Sequence, residues 1–365
     1  MNRGPVAVID LSALQNNLAV VRRRVRNRTV IAVVKADAYG HGAAAVSRAL
    51  LSGGITHLAV AFTGEARVLR ASGITVPVIV LFDRSDIPDY FDLSLTPVVS
   101  DRRAAAAFSR EAVRRSAVLP VHLKIDTGMG RLGVQAGDAA SEAVAIAGME
   151  GIELAGLMSH FSEADLADHS YAVEQIKVFE EIRKAVTMRL GRPVLCHMAN
   201  SAAVLSLDDA FFDAVRPGIL LYGCSPFADD FGLRPVMKVK TRILALRSLS
   251  KGRPVSYGRT FVTKRDSLIG VIPAGYADGF NRLFSNNAEV LVRGRRVPVA
   301  GRVCMDLTMI DVTGIQDVSE GDEVVLLGNQ AGETITAREM ASRINTIPYE
   351  IITSLGSRAQ REYIS

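Results

Sequence analysis

The sequence predicts an α/β protein: a (β/α)8 barrel followed by a mostly β C-terminal domain. Three observations predict it. Between Val30 and Val215, short apolar runs alternate with helix-patterned stretches about eight times over. After Pro226 the pattern changes to short Val- and Ile-rich segments with glycine between them. The 365 residues also exceed what one hydrophobic core usually serves, so two domains are expected, at 1–232 and 233–365. A doubly wound open sheet is the alternative for the first part, because closure of a sheet is not written in a sequence.

Val6 to Ile9 reads as a short strand that could pack with the C-terminal domain, and Asp10 or Ser12 as the cap of a helix over Leu14 to Arg24. The first barrel strand is Val30 to Val34. Helices are expected at Ala43 to Leu51, Gly64 to Ala71, Ile87 to Phe91, Arg102 to Arg115, Ala139 to Gly148 and His169 to Met188. Between them lie strands at His57 to Ala61, Val76 to Phe82, Leu95 to Val99, Pro120 to Ile125, Leu154 to Met158, Val194 to His197 and Phe212 to Val215. The second domain should open with a long strand, Val236 to Leu246. Shorter ones follow, among them Pro254 to Phe261, with a hairpin turn near Arg293 to Arg296. A late helix at Ala337 to Ile344 and a final strand at Glu350 to Leu355 complete it.

Composition narrows the function. Charged residues are 22% of the chain and hydrophobic ones 48%, as in a soluble globular protein. The net charge of +5 comes from arginines in helix-like stretches, without a zinc-finger, RNA-sheet or basic-arm pattern, so nucleic acid is not the expected partner. Cys196, Cys224 and Cys304 are odd in number and form no CxxC, which fits a reducing compartment. No secretory leader and no membrane-length apolar run is read, and a cytoplasmic location is expected. No histidine spacing demands a metal.

One stretch organises the rest: Val30 to Val34 runs straight into Lys35, followed by Ala36, Asp37, Ala38, Tyr39, Gly40, His41 and Gly42. A lysine at the C-terminal end of a buried parallel strand sits where such folds place their chemistry. There an amine can form a Schiff base with an aldehyde cofactor. The plain alternative is a strand-end lysine reaching into water.

Further strings decide between them. The segments are Ala32 to Gly42, His122 to Gly133, Ser159-His160-Phe161, Ala199-Asn200-Ser201, Val215 to Ile219, Tyr222-Gly223, Ser256-Tyr257-Gly258, Gly275 to Gly279 and Cys304-Met305-Asp306, with Tyr349 near the end. In this order and over nearly the whole length, the chain resembles the alanine racemases, pyridoxal-phosphate enzymes of fold type III. The resemblance implies a homodimer with active sites shared between chains, alanine as substrate and a role in supplying D-alanine for peptidoglycan.

Residue by residue, the resemblance implies that Lys35 carries the cofactor and acts as one base. It makes Tyr257 the second base, delivered by the partner subunit to the opposite face. Arg216 matches the arginine facing the pyridine nitrogen. Tyr39, Ser201, Gly218, Ile219 and Tyr349 match phosphate-binding positions, His160 a residue lying against the ring, and Asn200 one near the ring hydroxyl. Arg131, Met305 and Tyr276 match substrate-binding positions, and Asp306 and Cys304 the layer behind the channel mouth. Lys124 matches a position that is carbamylated in many relatives. The rival readings are a racemase of wider specificity, a non-enzymatic cofactor-binding barrel and a decarboxylase of the same fold type. The β domain with Tyr257 argues against the second, and Arg216 in place of a carboxylate against the third.

Overall fold

The computed structural model describes residues 4–365, which divide into two compact units. One unit comprises residues 14–38 and 43–233, the other residues 4–13, 39–42 and 234–365.

The first unit is the barrel. Its elements are α1 (beginning in the other unit; Leu11–Val25), β2 (Thr29–Val33), α2 (Ala43–Ser52), β3 (His57–Val60), α3 (Thr63–Ala71), β4 (Val78–Val80), α4 (Ile87–Asp92), β5 (Leu95–Val99), α5 (Arg102–Arg114), β6 (Leu119–Asp126), the short β7 (Val134–Gln135), α6 (Ala139–Ala147), β8 (Ile152–Met158), α7 (Ser170–Leu190), β9 (Leu195–His197), α8 (Ser201–Ser206) and β10 (Ala214–Val215). Strands β2, β3, β4, β5, β6, β8, β9 and β10 pair in that order, all parallel. Strand β10 returns to β2, with Ala214 opposite Thr29, and the barrel closes. The open-sheet alternative is thereby excluded. Closure also explains the strand sequences: residues 30–34, 78–80 and 121–125 are buried without alternation, since helices cover the outer face and side chains fill the inner one.

The helices start and stop where local chemistry dictates. Asp10 caps α1, its Oδ1 accepting the Ala13 N–H at 2.9 Å. Asp101 does the same for α5 through the Ala104 N–H at 2.7 Å. Gly191 ends α7 in the left-handed conformation.

The second unit is built on a twisted sheet of order β17-β16-β19-β11-β1-β21, with β20 added beside β19. Its strands are β1 (Val6–Asp10), β11 (Met237–Arg242), β16 (Glu289–Val292), β17 (Arg295–Pro298), β19 (Glu323–Gln330), β20 (Glu333–Ile335) and β21 (Gln360–Ile364). A three-stranded sheet comprises β12 (Ala245–Leu249), β15 (Ser267–Ile272) and β18 (Thr308–Asp311), and β13 (Pro254–Val255) pairs with β14 (Phe261–Val262). Two helices, α9 (Ala337–Arg343) and α10 (Pro348–Arg358), precede β21. Arg293 and Gly294, both at positive φ, make the two-residue hairpin turn between β16 and β17.

Several elements differ from the sequence reading. The expected strand over Glu350 to Leu355 is part of α10, which buries Ile351, Ile352 and Leu355 on one face. The expected long strand from Val236 breaks at Ile243-Leu244, and its halves β11 and β12 join different sheets. The segment Pro254 to Phe261 is interrupted by a 3-10 turn at Tyr257–Arg259. Among the described residues, no helix is long and apolar enough to cross a membrane.

Candidate active site

Lys35 stands two residues beyond the end of β2. The strand end is fixed by the Val34 N–H bond to the Ala59 carbonyl at 2.9 Å and by the Tyr222 hydroxyl, which donates to the Val33 carbonyl at 2.9 Å. After Lys35 the chain makes a left-handed turn: Ala36, Asp37, Ala38 and Tyr39 all have φ between 52° and 55°. None of these is glycine, so the turn is strained and needs external support. Glu65, in the first turn of α3, supplies some of it. Its carboxylate accepts the Ala36 N–H at 2.5 Å and the Ala61 and Phe62 N–H groups at 2.7 and 3.2 Å. Asp37 accepts the Ala43 N–H at 2.7 Å and so ties the turn to α2.

The Lys35 amine is half-buried. Burial and the Arg131 guanidinium push its pKa below the ordinary lysine value, against the opposing pull of Glu65. It lies 5.6 Å from the centroid of the Phe82 ring, and the Arg131 guanidinium lies 5.8 Å from the same centroid. Arg131 is carried by the loop after β6. There Asp126 Oδ1 accepts the N–H groups of Gly128, Met129 and Gly130 at 2.9, 2.9 and 3.1 Å. Gly133 closes that loop at φ 128°, where a Cβ would lie 2.7 Å from the Asp126 nitrogen.

Arg216, at the end of β10, is 4% exposed and is held entirely by neutral acceptors. Its Nη1 donates to His197 Nδ1 at 2.7 Å and to the His197 carbonyl at 2.9 Å. Its Nη2 bonds the carbonyls of Ser159 and Met198 at 2.7 and 3.1 Å and lies 3.2 Å from His160 Nδ1. A guanidinium has no acceptor, so His197 Nδ1 must be unprotonated and its Nε2 carries the hydrogen. That hydrogen is donated to His122 Nδ1 at 2.8 Å. Burial, followed by the charge of Arg216, holds His160 and His197 well below the ordinary histidine pKa. Burial, then His57 and Arg216, brings His122 to about 3. Burial alone lowers Arg216 to about 9, so it stays charged at neutral pH.

Lys124, on β6, is buried, and its Nζ has no hydrogen-bond partner among the described residues. Burial, followed by Arg216 and Arg131, lowers it to about 7, with Asp126 opposing. Asn200 caps α8 through the Ala203 N–H at 3.0 Å, which leaves its amide NH2 as the available donor. Ser201 Oγ accepts the N–H groups of Gly218 at 2.9 Å and Leu220 at 3.4 Å. The Gly218 backbone is thereby held beside the Ser201 hydroxyl, which accepts here and has a hydrogen of its own to donate. Ile219 is buried beside it in sequence.

The second unit carries the other candidates. Tyr39 and Tyr349 face each other with ring centroids 6.1 Å apart, and burial followed by Tyr349 raises the Tyr39 phenol far above its usual value. Tyr257 is 69% exposed, in a turn entered through Ser256 at φ 64° and left through Gly258 at φ 69°. Ser256 Oγ donates to the Arg302 carbonyl at 2.6 Å and lies 3.6 Å from Cys304 Sγ. The Tyr276 and Ala277 N–H groups bond the Cys304 and Met305 carbonyls, both at 3.0 Å. Any Cβ at Gly275 would meet the Met305 carbonyl oxygen at 2.3 Å, so only glycine permits this approach. Asp306 pairs with Arg358 at 2.9 Å. Tyr257, Tyr276, Met305 and Leu307 therefore project from loops clipped to one another, all more than a third exposed.

Residues 9–226 match the family model "Alanine racemase, N-terminal domain", and residues 236–363 match "Alanine racemase, C-terminal domain". An alanine racemase of Thermodesulfovibrio yellowstonii is 51% identical over 368 residues, covering 100% of this chain and 99% of that protein. The chain belongs to the alanine racemase family. It superimposes on the alanine racemase of Streptomyces lavendulae with a TM-score of 0.93 at 33% identity, over 100% of this chain and 98% of that one. The Bartonella henselae alanine racemase, solved with covalently bound pyridoxal phosphate, gives 0.89 at 30% identity and 100% coverage of both.

As a member of this family the chain is a pyridoxal-phosphate-dependent isomerase. The barrel-unit residues fit that cofactor. A half-buried amine of lowered pKa stands at a strand end, a buried cation has no carboxylate partner among the described residues, and a hydroxyl beside a helix start has its hydrogen to give. Two residues absent from the sequence reading belong to the same group, Glu65 and Phe82. Glu65 carried a signal as an acidic residue in a first helical turn, but nothing marked it as a support for the lysine. Phe82 carried none.

Proposed function

We propose that this protein interconverts L-alanine and D-alanine as a homodimer, moving the α-hydrogen between Lys35 and Tyr257 of the partner subunit on opposite faces of the substrate. The observation that carries this reading is the Lys35 amine, half-buried, depressed in pKa and fixed at the end of a barrel strand. Bound pyridoxal phosphate supplies the aldehyde carbon for an amine to attack and a conjugated ring that takes up the electron pair left by the departing proton. A lysine of lowered pKa offers the neutral amine needed both for attack and for proton removal.

Arg216 is read as the partner of the pyridine nitrogen. The bonds that hold it all leave from its terminal nitrogens, so its Nε–H is the donor it has for the ring. Charged at neutral pH, it would keep its proton and only donate a hydrogen bond, leaving a bound ring nitrogen unprotonated. Weaker electron withdrawal by the ring would then disfavour side reactions such as transamination. Ser201, Tyr39, Tyr349 and the chain at Gly218 and Ile219 are assigned to the phosphate. His160 is assigned to the ring face and Asn200 to the ring hydroxyl. Arg131, Met305 and Tyr276 are assigned to the substrate, with Asp306 and Cys304 behind them. The neutral amine of Lys124 is the form that adds carbon dioxide, and the resulting carbamate would neutralise the cationic surroundings of Arg131.

The exposed group of Tyr257, Tyr276, Met305 and Leu307 supports the homodimer, since clipped apolar loops of this kind are what an interface covers. The cytoplasm is the proposed location and peptidoglycan precursors the proposed use of the D-alanine. The test is chiral chromatography of L-alanine incubated with holo-protein, with serine and lysine run alongside. D-Alanine formed faster than either other product supports the reading, and an unchanged substrate refutes it.

A further inference from the structure

We infer that Phe82 is a positioning residue of this site: its ring is the common seat of the Lys35 amine and the Arg131 guanidinium, and it sets the proton affinity of that amine. The inference rests on the racemase reading for the role of Lys35 and goes beyond it in naming what tunes the lysine.

Both cations lie within the distance at which an aromatic ring attracts a positive charge, at 5.6 and 5.8 Å from its centroid. The backbone that carries the ring is fixed. Phe82 follows β4, where its N–H bonds the Ala61 carbonyl at 3.2 Å. The next residue, Asp83, accepts the Thr63 N–H at 3.0 Å and the Thr63 hydroxyl at 2.6 Å. It also accepts the Ser85 N–H at 2.9 Å and the Ser85 hydroxyl at 2.6 Å. Phe82 is half-buried, so its surroundings do not demand an aromatic residue for packing alone.

The chemistry needs such a device. Two cations brought together in a partly buried site repel each other, and Arg131 acts on Lys35 in that sense. The charged groups facing the lysine are Arg131, which disfavours its protonated form, and Glu65, which favours it; His160 beside them is neutral. Glu65 is already engaged with three backbone N–H groups. The ring face adds attraction for the ammonium form without adding a carboxylate that would compete for the Arg131 guanidinium. A base that must hold a proton briefly and return it benefits from that balance.

The experiment uses apo-protein and pyridoxal phosphate. The neutral Lys35 amine attacks the aldehyde carbon, a C=N bond forms and water leaves, so the rate of capture follows amine deprotonation. Capture is followed across pH by the visible absorbance of the lysine-bound cofactor, for wild type, Phe82→Leu and Phe82→Tyr, each checked for fold by circular dichroism. Loss of the ring face should shift the Phe82→Leu profile about half a unit to one unit toward lower pH. Phe82→Tyr, which keeps the ring, should stay with the wild type. A Phe82→Leu profile that is unmoved or moves upward overturns the inference, as does a Phe82→Tyr profile that follows Phe82→Leu. Failure of the wild type itself to capture cofactor and racemise alanine would count against the racemase reading, so the two failures are distinguishable.

Discussion

Replacing Glu65 by glutamine tests how Lys35 is held without touching Lys35. Four successive non-glycine residues in the left-handed region cost about 1–2 kcal/mol each, or roughly 4–8 kcal/mol for the turn. Glutamine keeps one acceptor oxygen. That oxygen should remain with the part-buried Ala61 N–H, next to the exposed Phe62 N–H, leaving the amide NH2 against the Ala36 N–H, donor facing donor. The lost bond was charge-assisted, but Ala36 is exposed, so the low end of the range applies, about 1.5 kcal/mol. This equals the strain of one left-handed residue, enough to loosen the segment next to Lys35. Displacement of a catalytic group by an ångström costs about 10²-fold in rate. Glu65→Gln should therefore lower kcat about 10- to 100-fold, with thermal stability reduced by only about 3–6 °C. Steady-state formation of D-alanine and a melting curve by circular dichroism measure both. Wild-type kcat in Glu65→Gln would refute the supporting role.

Lys35→Ala should abolish the visible absorbance of bound cofactor and lower activity by at least about 10⁴-fold, read by spectrum and chiral assay. Lys124 carries its own pH signature. Its amine is charged below about 7 in the folded chain and below its ordinary 10.5 when unfolded, so the unfolded state binds more protons between those values. Stability relative to Lys124→Met should thus rise with pH from about 7 to 10.5 and be lowest below 7; urea titrations at several pH values that show the opposite slope would contradict it. Carbon-13 bicarbonate should give a carbamate signal on wild type that is missing from Lys124→Met and fades below pH 7. Asp101→Ala removes the cap of α5 and should cost about 1 kcal/mol without affecting turnover.

The barrel was legible because closed parallel sheets bury strands on both faces, and the runs at 30–34 and 121–125 show it directly. Helix α10 was misread because Ile351 and Ile352 are β-branched and adjacent. Pro348 at its first turn and the spacing of Ile351, Ile352 and Leu355 on one face were the signals that favoured helix. Strand β21 carries Gln, Arg and Glu and is mostly exposed, so no apolar alternation announces it; it exists because β1 offers an edge. The site strings were readable as strings. The αL turn at 36–39, the Arg216–His197–His122 chain and the shared ring of Phe82 were not, because each depends on which side chains closure of the barrel brings together.

In the proposed enzyme two chains combine to make one reaction centre. Lys35→Ala and Tyr257→Ala, each nearly inactive alone, are mixed under conditions of demonstrated subunit exchange. Random pairing makes half the dimers mixed, and each mixed dimer has one intact lysine–tyrosine pair out of two. Racemisation should recover to about a quarter of the wild-type rate. Mixed dimers, isolated by differential tags, that leave L-alanine unconverted would contradict the account.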